Sequence, residues 1–203
     1  PAYGLGMRRF CTGVAAAVLA CGVAAYGETD GSCAQALEAP LHDRGRLTVR
    51  SFATGIKVVG TEGTTLRVTC TNASDPRAVR FHLTGDPGHE QLTLRSDHHQ
   101  DNLESRIEVP HRTSLQLHMG AGEVTVNNVE GDKDIDLYAG QINIAMGDVS
   151  DYRSVHASVD IGEVNASAWG VDKGGFFRSF TRTTPDGEYR LYAHVLTGEI
   201  DLQ

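Results

Sequence analysis

Aromatic residues are scarce in this chain of 203 residues: they make up 6% of it, with a single Trp. So few rings leave little material for the long stacking trough that polysaccharide-cleaving enzymes need. Basic clusters are scarcer still. Lys and Arg number 18 against 26 acids, the formal net charge is −8, and no run of cations exceeds Arg8-Arg9. A phosphate backbone demands a basic patch, so nucleic acid is excluded as a partner. An anionic polysaccharide would also be repelled unless a cation bridged it. The longest uncharged apolar run, Cys11 to Ala25, falls short of the roughly 20 residues of a membrane-spanning helix. Helical periodicity is not sustained anywhere past residue 45. A Gly-x-Ser-x-Gly elbow, a His-Glu-x-x-His pair and a Walker loop are all missing. Gly120-Ala121-Gly122 begins like a dinucleotide fingerprint but lacks the third Gly and precedes a strand, so it is a turn. The expectation is no catalytic residue, no cofactor and no metal site.

What is present begins with a leader. Met7-Arg8-Arg9 stands before the apolar run, and small residues close it, which is the pattern of a secretory signal helix. Pro1 to Gly6 precede Met7, the expected start. Val23-Ala24-Ala25 places small residues for cleavage after Ala25. Val18-Leu19-Ala20-Cys21 resembles a lipobox, in which Cys21 would be lipidated and form the only membrane link. The sequence leaves both outcomes open. Residues 1–25 are therefore the leader, 26–44 an N-terminal arm and 45–203 the folded domain. Export to the periplasm, outer envelope or medium follows. Of the four Cys, Cys33 and Cys70 remain outside the leader, either as a disulfide or as two separate thiols.

Gly is plentiful, at 23 residues spread along the chain, which implies many turns. Four segments align. Leu115-Gln-Leu117 leads to Gly122-Glu-Val124-Thr-Val126. Ile135-Asp-Leu137 leads to Gly140-Gln-Ile142-Asn-Ile144. Val155-His-Ala157 leads to Gly162-Glu-Val164-Asn-Ala166, and Leu191-Tyr-Ala193 to Gly198-Glu-Ile200-Asp-Leu202. A weaker copy runs from Leu47-Thr-Val49 to Gly55-Ile56-Lys57-Val58. The four glycines lie 18, 22 and 36 residues apart, so the last interval holds an insertion or an extra coil. Each unit buries too few aliphatics to stand alone, and stacked units share one core. The predicted fold is all-β, a single β-solenoid or β-helix-like repeat domain of short strands; the competing fold is a β-sandwich. Residues 59–112 are less regular and look antiparallel.

These features resemble the DUF4097 family, whose domains carry the name "putative adhesin". The residues that carry the likeness are Leu47 through Val58, Arg106-Ile107-Glu108-Val109-Pro110, and the Gly-Glu-Val/Ile units through Tyr189-Arg-Leu191 to Leu202. The resemblance covers roughly residues 45–203. It implies an exported, bacterial β-solenoid-like domain with no catalytic motif to carry over.

Three groups remain. His98-His99 with Asp97 and Asp101 have the donors for a transition metal, but neighbours on a strand face opposite ways, so a solvated loop is the preferred reading. Glu123, Asp148, Asp160, Glu163, Glu199 and Asp201 would form either an acidic ladder for calcium or a solvated surface, the latter preferred. Trp169, Phe176, Phe177 and Phe180 form the one concentrated aromatic patch. It is either a contact surface for a protein or glycan partner or packing over an open end of the stack, the latter preferred. The functional expectation is a non-enzymatic envelope or extracellular binding or scaffold module. The alternatives are a β-helix carbohydrate-active enzyme and a His-mediated metal sensor.

Overall fold

Aliphatic residues at every second position give strands along the chain. The computed structural model describes residues 28–203; the leader helix, both cleavage alternatives and Cys21 lie outside the described residues. The strands are β1 (Thr29–Ser32), β2 (Leu37–Pro40), β3 (Arg46–Thr61), β4 (Thr65–Thr71), β5 (Val79–Asp86), β6 (His89–Ser96), β7 (Glu104–Pro110), β8 (Ser114–Asn127), β9 (Lys133–Ile144), β10 (Tyr152–Ala166), β11 (Val171–Thr183) and β12 (Tyr189–Leu202). Two short 3₁₀ turns, Val149–Asp151 and Ser167–Trp169, complete the elements, with no α-helix among the described residues. The fold is all-β, built on one open twelve-stranded sheet.

The expectation of short strands is corrected. β3 and β8 to β12 each run between 12 and 16 residues, because both apolar-x-apolar halves of a unit belong to one strand. Each long strand is bent instead of broken. Pairing skips one residue at the same place in all six: Phe52, Gly120, Tyr138, Leu196, Asp160 and Phe177. Met119 and Val124 are both buried, as are Leu137 and Ile142, Val159 and Val164, and Val195 and Ile200. Residues five apart on a straight strand face opposite ways. The bend therefore lets both halves of each strand aim at one core.

β3, β8, β9, β12 and β10 lie side by side in that order, all parallel. Val49, Leu117, Ile135, Ala193 and Ala157 make one buried row; Ile56, Val124, Ile142, Ile200 and Val164 make another. The last unit in sequence thus sits between the second and third in space. The 36-residue interval holds β11, which pairs antiparallel with β10 at the sheet edge, and no further coil.

Gly122, Gly140, Gly198 and Gly162 stand in register just past the bend, with φ from +130° to +148°. A Cβ on Gly140 would lie 1.8 Å from the Gly122 carbonyl oxygen, so glycine is demanded both by φ and by the approach of the next backbone. The weak fifth copy was aligned one residue late: Thr54, not Gly55, joins this row. Gly55 instead meets the β6–β7 link, donating its N–H to the Leu103 carbonyl at 2.9 Å.

On its other side β3 forks. Its first half pairs with β6 and its second with β7, both parallel. β5 and β1 continue from β6, and β4 and β2 from β7, all antiparallel; the antiparallel expectation for residues 59–112 thus holds for β5–β6 and β4–β7 but not for the parallel pairing of β6 and β7 with β3. The described part of the N-terminal arm is built into this sheet: Leu37 and Leu41 are buried, and Cys33 is joined to Cys70 by a disulfide. At the opposite end β11 sets Lys173, Arg178, Phe180 and Arg182 level with the buried Val164, Val159, Ala157 and Val155; Phe180 is buried and the three cations are exposed. Lys173 Nζ donates to the Ser179 carbonyl (2.9 Å) and Arg178 Nε to that of Gly174 (2.8 Å), so both cations bond to the exposed backbone of β11 itself.

Candidate functional site

The six bend residues form a row along one outer corner of the stack. With neighbouring strands about 4.8 Å apart, the row is roughly 24 Å long. Phe52, Tyr138 and Phe177 in it are 84%, 67% and 79% exposed, and Phe176 and Ile161 beside Phe177 are 68% and 47% exposed. A soluble surface rarely gathers so many large apolar groups without a use for them. Phe177 has φ +51°, a left-handed conformation that a bulky aromatic adopts only under constraint from its surroundings.

The predicted aromatic patch is split by the fold. Trp169 and Phe180 pack together, ring centres 5.0 Å apart, and Phe180 is buried against the end of the core. Phe176 and Phe177 turn outward at the corner. Sequence reasoning missed Phe52 and Tyr138. A signal was available: in each aligned unit the corner residue lies two places before the repeat glycine, at Gly120, Tyr138, Asp160 and Leu196.

At the β3 end of the same corner lies a cavity of about 490 Å³. Ser51 and Gly55 face Met119 and Glu123 on one side but Leu94 and Glu104 on the other, so the β6–β7 link is six residues longer than the bend of β8. That longer link cannot close the corner. Val79, Leu94 and Leu103 wall the resulting space, and Phe52 lines it too.

The His pair does not converge. His98 Nε2 lies 3.0 Å from Gln100 Nε2, whereas His99 pairs with Asp101 at 3.1 Å. Among the described residues no three His, Cys, Asp or Glu side chains are arranged to hold a metal ion. The acids are largely taken up by neighbours. Glu123 accepts from Asn143 Nδ2 (3.0 Å), and Asp148 accepts from the Ser150 N–H and hydroxyl, which holds its carboxyl below the ordinary range. Glu163 is raised, first by the charge of Asp172 beside it, then by its hydrogen bond to that carboxylate, with smaller contributions from burial, Glu199 and Asp201. On the outer face, His194 sits between Asp136 (3.0 Å) and Asp160 (3.7 Å), and His156 stacks on Tyr192.

No family model matches this chain, and no curated protein matches it either. The likeness to DUF4097 rests on the residues quoted for it. Among solved structures the chain is similar to a "putative cell adhesion protein" from Clostridium sporogenes ATCC 15579, with a TM-score of 0.49 and 11% identity over 83% of this chain and 98% of that one.

Proposed function

We propose that this chain is a non-enzymatic, exported module that binds a partner surface, protein or glycan, through its aromatic corner. The observation that carries the reading is the in-register corner row, which brings Phe52, Tyr138 and Phe177 from three distant parts of the sequence onto one exposed edge. Exposed aromatics at such sites supply large contact area at low entropic cost. The strained backbone at Phe177 favours a binding role over a packing one. Export is supported by the secretory pattern of the leader and by the Cys33–Cys70 disulfide, a bond that persists in oxidising compartments. A lipid on Cys21 would be its sole membrane attachment. The five bent parallel strands sharing one core support a β-solenoid-like description and, with it, the adhesin-like reading.

A carbohydrate-active enzyme is the second reading, since the charge of neighbouring Asp172 raises the Glu163 carboxyl, the direction that a general acid needs. Both carboxylates are exposed or half-exposed and neither lines the corner cavity, so the binding role is preferred.

Labelled chain is incubated with intact cells and with immobilised glycans, wild type beside Phe176→Ser/Phe177→Ser. Saturable retention by the wild type, reduced at least about tenfold in the variant, is expected from the loss of two exposed aromatic anchors. Equal retention of both proteins refutes the corner as the binding surface. Hydrolysis of any glycan, abolished by Glu163→Gln, would establish the enzyme instead.

A further inference from the structure

The geometry points to a second site, which adjoins the aromatic corner at Phe52: we propose that the cavity in the fork of β3 binds a small amphipathic anion, an aromatic or branched aliphatic carboxylate. Its volume of about 490 Å³ falls within the range of about 300–1,000 Å³ usual for small-molecule pockets. The walls fit an apolar body, because Val79, Leu94 and Leu103 are core residues that continue onto the lining. Polarity decides the head group. Arg95 is on the lining together with His98 and His99, and no carboxylate is. On a chain of net charge −8 that is a local inversion of sign. Of the two nearest acids along the link, Asp97 is engaged by Arg80 outside the lining, whereas Asp101 pairs with the lining residue His99 and leaves Arg95 to carry the positive sign.

A further feature supports a binding pocket over a packing gap. The link is held open by fixed contacts. Gln100, itself buried, accepts from Ser74 Oγ (2.7 Å) and the Asp75 N–H (3.1 Å), and the Leu103 carbonyl accepts from the Gly55 N–H (2.9 Å) and Thr54 Oγ1 (3.1 Å). A pocket so pre-shaped loses little entropy on filling.

The test is a fluorescence titration of the disulfide-intact chain with anilinonaphthalene sulfonate, an aromatic anion, and with its neutral analogue N-phenylnaphthylamine. One saturable site is expected for the sulfonate. Ala53→Trp, which fills the mouth from an exposed position, should abolish it with unfolding temperature unchanged; Ser96→Trp serves if that variant does not fold. Arg95→Gln should weaken the sulfonate about tenfold and the neutral analogue less than twofold, as expected for one charge-assisted contact. Phe176→Ser/Phe177→Ser should leave the titration as it was, which separates this site from the aromatic corner. The proposal is overturned if the wild type shows no saturable binding, or if filling the mouth leaves it intact. It is likewise overturned if Arg95→Gln does not discriminate the two probes, or if the double Phe variant removes the signal.

Discussion

Raising the pH from 7 to 9.5 should stabilise this fold, because of one residue. Lys133 stands at the start of β9, level with Leu115 and Leu191 in the buried rows, and is 2% exposed. Its ammonium donates to the Gly131 carbonyl (3.0 Å) and to the Tyr152 hydroxyl (2.7 Å), and lies 4.8 Å from the Tyr152 ring centre. Neither hydrogen-bond partner is a carboxylate. Burial pushes its pKa down to about 7, against weaker opposing pulls from Asp132 and Glu130. In the unfolded chain the same amine titrates near 10.4. Between those values the unfolded state holds a proton that the folded state has lost, so stability rises with pH. Below pH 7 both states are protonated and the full penalty is present. At about 1.4 kcal/mol per pH unit, with a half-filled site at pH 7, the gain by pH 9.5 is about 3 kcal/mol. Tyr152, raised by burial, counters this only above pH 10. For a domain of this size each kcal/mol moves the unfolding temperature by about 2–4 °C. Urea and thermal unfolding at pH 6, 7, 8, 9 and 9.5, wild type beside Lys133→Met, would read the difference. The variant should lose the slope and be more stable at pH 6 by about 2–4 kcal/mol, after allowing about 1 kcal/mol for the hydrogen bond Tyr152 loses. Equal slopes in the two proteins, or a variant less stable at pH 6, would refute the reasoning.

Gly140→Ala should cost at least about 3 kcal/mol in urea unfolding, because its Cβ meets a carbonyl at 1.8 Å, whereas Gly63→Ala, with open space around it, should cost about 1 kcal/mol for its left-handed φ alone. Reducing the Cys33–Cys70 bond releases a loop with a sequence separation of 37 and should lower stability by roughly 3–4 kcal/mol, read by unfolding with and without reductant. Phe177→Gly should raise stability by up to about 1 kcal/mol while Phe177→Ala does not, since only Gly relieves a φ of +51° on an exposed residue. A destabilised Phe177→Gly chain would mean that the ring packs where it now stands exposed.

The repeat was legible because its code is local. Apolar-x-apolar on both sides of a glycine gives the strand, the bend and the buried rows almost residue by residue. The order of the rungs was not legible. β12 lies between β9 and β10 through pairings such as Lys133 with Leu191 and Val155 with Leu191, 58 and 36 positions apart, and one strand matches another too well in sequence for local pattern to choose. The corner was half legible. Phe176 and Phe177 stand out as a cluster, but Phe52 and Tyr138 look like isolated aromatics until the strands are in register. The cavity arises from a difference in link length, and length carries no chemistry of its own until β6 and β7 are seen to share β3.

The cations of β11 have a consequence beyond the single molecule. An open sheet has no intrinsic width: each exposed edge strand is a seat for another strand, and only the edge itself decides whether growth stops. Here the edge strand carries exposed Lys173, Arg178 and Arg182, charges that a second copy would have to strip of water before its own strand could pair there. With three aliphatic residues in their stead, that edge would be open to another strand and the chain prone to self-association.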